Sequence, residues 1–204
     1  MGPAAQHGGA PSALFAYVLE RYDPGPATFV ARLTVELLRP VPLQPLRLAA
    51  RTSRAGRKVQ WVDAALFADE VEVARAAALR MRTEPVDVQD AVQPVVDAPP
   101  GPETVAPFDF GPRDHVGMWS TQELRIVSGT WMEPGPAAIW FRMTCAVVDD
   151  EPLTGLQRVA ACADFGSGVG SPLRLTNATA INAEVTVHLH RHPAGEWVCV
   201  ESAG

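Results

Sequence analysis

The residues of this 204-residue chain able to do chemistry fall into four groups. His7-Gly8-Gly9 stands just ahead of a stretch with helical periodicity. Two glycines free the backbone for a tight turn, and a helix starting there aims unpaired N–H groups and the positive end of its dipole at a carbonyl or an anion. Asp164 lies in the last turn of a predicted helix, just before Gly166. A carboxylate on a cleft-lining helix can serve as a general base, and the same position also suits a solvated surface acid. His188, His190 and His192 alternate with Val187 and Leu189 and share one face of a predicted strand. No Asp or Cys ligand spacing accompanies them, so a polar sheet face is expected and no metal. Gly166-Ser167-Gly168-Val169-Gly170 resembles a nucleotide loop in composition. It follows a helix instead of a strand, which argues against that use.

The elements that must position these residues are set by an internal repeat. Ala31-Arg32-Leu33-Thr34-Val35-Glu36-Leu37-Leu38-Arg39-Pro40 and Ala183-Glu184-Val185-Thr186-Val187-His188-Leu189-His190-Arg191-His192-Pro193 share the pattern Ala-x-(Leu/Val)-Thr-Val-x-Leu-x-Arg and then proline, 152 residues apart from Thr34 to Thr186. Alternating apolar and polar residues with β-branched content predict a long strand in each. The spacing is far beyond a solenoid period, roughly 20 to 50 residues, and points to a duplicated domain. Ahead of the first copy, Leu14, Tyr17, Val18 and Arg21 predict a helix from about residue 7 to Arg21, with Pro11 in its first turn. After it, alternation predicts strands over 28–39, 45–53, 57–68 and 71–83. Residues 84–116 lose periodicity and read as a linker. Strands are then expected over 119–131 and 137–148, a helix over 153–165, the second long strand over 181–192 and a last one from Glu196 to Ser202. Laying the halves over one another gives a first unit, 1–83, lacking its leading strand, and a second unit, 117–204, lacking its last strands. Bare sheet edges make assembly into a homo-oligomer an expectation.

Composition narrows the function. With 47% hydrophobic residues the chain can bury a core, and a net charge of −6 argues against nucleic acid as the partner. Cys145, Cys162 and Cys199 follow no disulfide or metal spacing, which fits the cytoplasm. No run of about 18 apolar residues predicts a membrane span, and no signal peptide is visible.

Several of these motifs together resemble a known family. His7-Gly8-Gly9 before a helix, Thr34-Val35-x-Leu37-x-Arg39-Pro40, Ala163-Asp164-Phe165, and His190-Arg191-x-Pro193-x-Gly195-Glu196-Trp197 look like the double hot-dog acyl-CoA thioesterases. The resemblance implies an α+β double hot-dog, an antiparallel sheet wrapped around a long helix in each repeat, here incomplete at both ends. It implies hydrolysis of fatty acyl-CoA without a cofactor. Carried over position by position, Asp164 matches the family's catalytic Asp, and Asn182 stands where the family has Ser or Thr. The family's Gln falls past Gly204. His7, Gly8 and Gly9 would bind substrate at the helix start. Two alternatives stay open: a non-catalytic acyl-CoA or acyl-carrier-protein binding module, with Asn182 marking lost chemistry, and a hot-dog dehydratase or hydratase. The second needs an Asp/His pair, and the sequence shows no second partner for Asp164.

Overall fold

The computed structural model describes residues 5–23, 27–87, 97–109, 117–130, 133–174 and 181–204. The first unit is α1 (Gly9–Arg21) followed by β1 (Thr28–Leu37), β2 (Arg47–Arg54), β3 (Val59–Ala68) and β4 (Val71–Arg82). The second holds β5 (Gln122–Ser128), β6 (Ala137–Met143), α2 (Gly155–Ala163), β7 (Glu184–His188) and β8 (Trp197–Ser202). One sheet runs β2-β3-β4-β1-β7 and the other β5-β6-β8, with every pairing antiparallel.

Helix α1 buries Phe15, Ala16 and Leu19 against Leu33, Val35, Val62 and Leu66, the inward residues of alternating strands. Each large apolar side chain so buried contributes about 1.5 to 3 kcal/mol. The helix stops where Tyr22 turns extended and Asp23 takes a positive φ of 45°. The buried Arg80 of β4 donates from Nη1 to the Tyr22 carbonyl at 2.7 Å and from Nε to Thr28 Oγ1 at 3.1 Å, fixing the step from α1 into β1. Asp69, at φ 52°, makes the β3–β4 turn, a conformation that Asp tolerates better than most residues.

The two copies of the repeated strand lie side by side. β1 and β7 pair antiparallel, with Thr34 opposite Thr186, Arg32 opposite His188 and Glu36 opposite Glu184. The repeat itself carries Thr34 onto Thr186, so the central pair is its own equivalent, and a pseudo-two-fold axis passes between these threonines. Thr186 Oγ1 donates to Thr34 Oγ1 at 3.1 Å. Under the same repeat β8 answers to β2, yet nothing among the described residues takes the places of β3 and β4 between β7 and β8.

Several expected elements are shorter than the sequence suggests. The second long strand is confined to Glu184–His188, so His190 and His192 lie past its end and the three histidines do not form one strand face. His192 instead sets its ring edge-on to Phe29, 4.7 Å between centroids. The strand expected from 119 begins at Gln122 because Met118–Thr121 forms a 3-10 turn, closed by Thr121 Oγ1 donating to the Met118 carbonyl at 2.7 Å; residue 131 of that expectation lies outside the described residues. The strand expected to reach 148 ends at Met143. The helix expected from 153 starts after Thr154, whose side chain accepts from Gln157 N–H at 3.3 Å, and gives way at Asp164–Ser167 to a 3-10 turn. Gly170, at φ 72°, sits where a Cβ would fall 2.2 Å from the Ser202 carbonyl, so the glycine-rich segment packs against β8.

Candidate active site

The two helices pack antiparallel. Glu20 near the end of α1 accepts from Thr154 Oγ1 at the start of α2 at 2.6 Å, while His7 ahead of α1 meets Asp164 just past α2. Close approach is what the two glycines provide. A Cβ on Gly9 would lie 2.5 Å from the Ala161 carbonyl of α2, and one on Gly8 would lie 2.8 Å from both Asp164 carboxylate oxygens and 2.7 Å from Leu37 Cδ1. Gly8 has an ordinary helical φ of −58°, so space, not backbone freedom, demands glycine there.

Asp164 is buried, 5% exposed, and its carboxylate is surrounded by donors. His7 Nδ1 is 2.8 Å from Oδ2. Asn182 Nδ2 reaches Oδ1 at 2.7 Å and the Asp164 carbonyl at 2.9 Å, anchoring the carboxylate to the segment that leads into β7. Burial pushes the Asp164 pKa up, but hydrogen bonds from His7, Asn182 and the Gly9 N–H outweigh it and hold the group below the ordinary Asp range. The solvated-acid reading of Asp164 is therefore overturned.

Gly9 N–H also lies 3.1 Å from His7 Nδ1. One nitrogen cannot accept from Gly9 and donate to Asp164 at once. An anionic carboxylate 2.8 Å away calls for a proton on Nδ1, and in the neutral imidazole Nε2 is then the acceptor. The ring is fixed by Phe165, 4.5 Å away and tilted by 37°, and by Trp119, edge-on at 6.4 Å.

The group opens on a cavity of about 370 Å³. His7, Gly8, Asp164 and Asn182 stand on its wall, and Leu37, Leu38, Val41 and Ile181 make much of the rest apolar. A larger hollow of about 520 Å³ lies on the solvent side of the first sheet. Four of its charged residues are paired as Arg51–Asp63 and Glu36–Arg75, leaving Glu72, whereas His7, Gly8, Asp164 and Asn182 all stand on the smaller one.

The five residues that the family resemblance assigned to the site, His7, Gly8, Gly9, Asp164 and Asn182, thus meet at one place. The absence of a partner for Asp164 is corrected: His7, from the other unit, is that partner. Arg39, which also lines the cavity, stood in the repeat and in the Thr34-to-Pro40 motif without a role assigned to it.

A helix in each unit against antiparallel strands, with the site where the units meet, defines a hot dog fold, and solved structures agree. A conserved protein with a hot dog fold from Alicyclobacillus acidocaldarius matches at 20% identity, with a TM-score of 0.67 over 94% of this chain and 70% of that one. The tesB protein of Mycobacterium avium subspecies paratuberculosis matches at 18% identity and TM-score 0.68, covering 98% and 74% of the two chains. An acyl-CoA thioesterase II, TesB2, from Mycobacterium marinum matches at 17% and 0.65, covering 96% and 77%. A search of curated proteins found no significant match. The family models are decisive: acyl-CoA thioesterase N-terminal domain over residues 1–81 and acyl-CoA thioesterase C-terminal domain over residues 89–203. This chain belongs to the acyl-CoA thioesterase family, a thioester hydrolase of TesB-like double hot-dog type. Among the described residues no helix is long and apolar enough to cross a membrane.

Proposed function

We propose that this chain hydrolyses fatty acyl-CoA in the cavity between the start of α1 and β7, with water activated at the His7–Asp164 pair. The observation that carries this is the 2.8 Å contact of a buried carboxylate with an imidazole on the wall of an apolar cavity. Asp164, saturated with donors, is a weak proton acceptor and a strong orienter. It holds His7 Nδ1–H so that Nε2 takes the proton as water attacks the thioester carbonyl. The new C–O bond forms, the C–S bond breaks, and the proton passes to the leaving thiolate, giving a carboxylic acid and a thiol. The Gly8 N–H at the start of α1, with no acceptor among the described residues, is the donor assigned to the oxyanion. Leu37, Leu38, Val41 and Ile181 offer an alkyl chain an apolar wall. Three free cysteines and a CoA substrate fit the cytoplasm.

Thiol release from acyl-CoAs of graded chain length tests the reading. His7→Gln and Asp164→Asn should each lower turnover by about 100- to 10,000-fold while the far-ultraviolet spectrum stays unchanged. A folded Asp164→Asn protein working at the wild-type rate would remove the pair from the mechanism. Binding without thiol release from any acyl-CoA would favour the binding module. The His7–Asp164 contact also supports a second reading, hydration of an enoyl-CoA, because it supplies the Asp/His pair that chemistry requires. Loss of enoyl absorbance without thiol release would mark it.

A further inference from the structure

The hydrolytic site does not account for the one arginine on the cavity wall. Arg39 follows β1 and is exposed, and its backbone is fixed by N–H donation to the Val73 carbonyl at 3.0 Å. Nη1 donates to the Glu72 carbonyl at 2.9 Å, a neutral partner that orients the guanidinium without neutralising it. Among the described residues no carboxylate pairs with Arg39; of the other arginines in the strands of this sheet, Arg47, Arg51, Arg75 and Arg82 have one and Arg32, Arg54 and Arg80 have none. The other charges on the cavity wall cannot serve it, because Asp164 is taken up by His7 and Asn182. The exposed Leu38 and Ile181 flank the same cavity, at 40% and 80% exposure. An apolar cavity with a tethered, uncompensated guanidinium fits a ligand that is part alkyl and part anion. Arginine suits phosphate in particular, presenting several donors in a fixed fork.

We propose that Arg39 is a specificity residue that binds the phosphate-bearing arm of the thioester substrate, whether that arm belongs to coenzyme A or to a phosphopantetheine group on a carrier protein. The proposal rests on the thioesterase reading for the identity of the ligand, not on the mechanism of hydrolysis. Arg39 touches the carrier and not the reacting carbonyl. Its loss therefore weakens substrate binding and leaves turnover at saturation unchanged.

Two measurements on the whole chain test this. The first compares KM for an acyl-CoA, for the matching acyl phosphopantetheine and for the phosphate-free acyl N-acetylcysteamine thioester, in wild type, Arg39→Gln and Arg39→Lys. A charge-assisted hydrogen bond is worth about 1.5 to 3 kcal/mol, so Arg39→Gln should raise KM for phosphate-bearing substrates roughly 10-fold or more. KM for the N-acetylcysteamine thioester and every kcat should not move. Arg39→Lys should restore part of the loss. A raised KM for acyl-CoA alone assigns the contact to the nucleotide phosphates, and a raised KM for both assigns it to the pantetheine phosphate. Equal effects on all three substrates, or on none, overturn the proposal. The second titrates coenzyme A itself and needs no hydrolysis. Weaker binding to Arg39→Gln, in a protein that releases no thiol, upholds the role of Arg39 while hydrolysis falls. Unchanged binding, or none to the wild type, overturns the proposal even if hydrolysis stands.

Discussion

Gly8 is the residue on which the site's geometry turns most sharply. Its backbone is in an ordinary conformation, so Ala would be accepted there but for the carboxylate and Leu37, which leave no room for one methyl group. Gly8→Ala should therefore keep the fold while pushing Asp164 off His7, with a fall in turnover approaching that of Asp164→Asn. A Gly8→Ala protein of wild-type turnover would mean the carboxylate can shift without consequence. Asp164 should also leave a mark on stability. Its pKa is lower in the fold than in the unfolded chain, so its stabilisation is present above the unfolded value, about 3.9, and lost as the pH falls through the folded value. Melting temperatures of wild type and Asp164→Asn should differ near neutrality and converge as the pH falls below the ordinary Asp range. A constant gap would contradict the linkage. In the sequence Asp164 stood out as a helix-end carboxylate that the family resemblance made catalytic, Asn182 was legible only through that resemblance, and the bond to His7 was not legible at all. Residues 7 and 164 belong to different units, and no local spacing reports a contact made by packing one helix on another.

At the level of elements, the repeat was visible as a pattern but its geometry was not. Alternation announced two strands; that they pair with each other about Thr34 and Thr186 follows only from the fold. The second strand is shorter than its pattern because apolar alternation persists past the last paired residue. The pairing has a directional consequence. Leu37 N–H bonds the Ala183 carbonyl at 2.8 Å and Leu189 N–H bonds that of Ala31 at 2.9 Å, which makes the odd-numbered β7 residues the hydrogen-bonded partners of β1. The amides of Glu184, Thr186 and His188 then face away from β1, toward an edge with no neighbouring strand among the described residues. Hydrogen exchange should be fast at those three and slow at Val185 and Val187. Uniform protection along β7 would mean that another chain covers the edge. Gly9 makes a second test at this scale. Ala would raise helix propensity by about 1 kcal/mol, yet its Cβ would strike the Ala161 carbonyl, a backbone atom unable to swing aside. Gly9→Ala should therefore lower the melting temperature, where propensity alone predicts a rise.

Across the whole molecule the two units share one structural spine. The core around α1 includes Leu156 and Ala160 of α2, β7 extends the first sheet, and Asp164 of the second unit is held by His7 of the first. Clean alternation made the helix and the four strands of the first unit legible in order, but their arrangement is not the simple meander that order suggests: β2, β3 and β4 follow one another, whereas β1 crosses over to pair with β4. Nor could alternation foresee that the helices run antiparallel and bury residues against each other. Units joined in this way should unfold together, and the tryptophans make that measurable. Trp61 lies in the first unit, whereas Trp119, Trp131, Trp140 and Trp197 belong to the second half of the chain, so fluorescence reports chiefly on that half. Leu19, wholly buried in the first unit, is the perturbation to apply. Leu19→Ala removes a packed side chain at a cost of about 2 to 5 kcal/mol. At roughly 2 to 4 °C per kcal/mol for a chain of this size, the melting temperature should fall by about 5 °C or more. Tryptophan fluorescence and far-ultraviolet circular dichroism should show the same drop and the same midpoint. If the fluorescence transition stays at its wild-type temperature while the dichroism transition moves, the units melt separately, and a site built from both cannot owe its rigidity to their union.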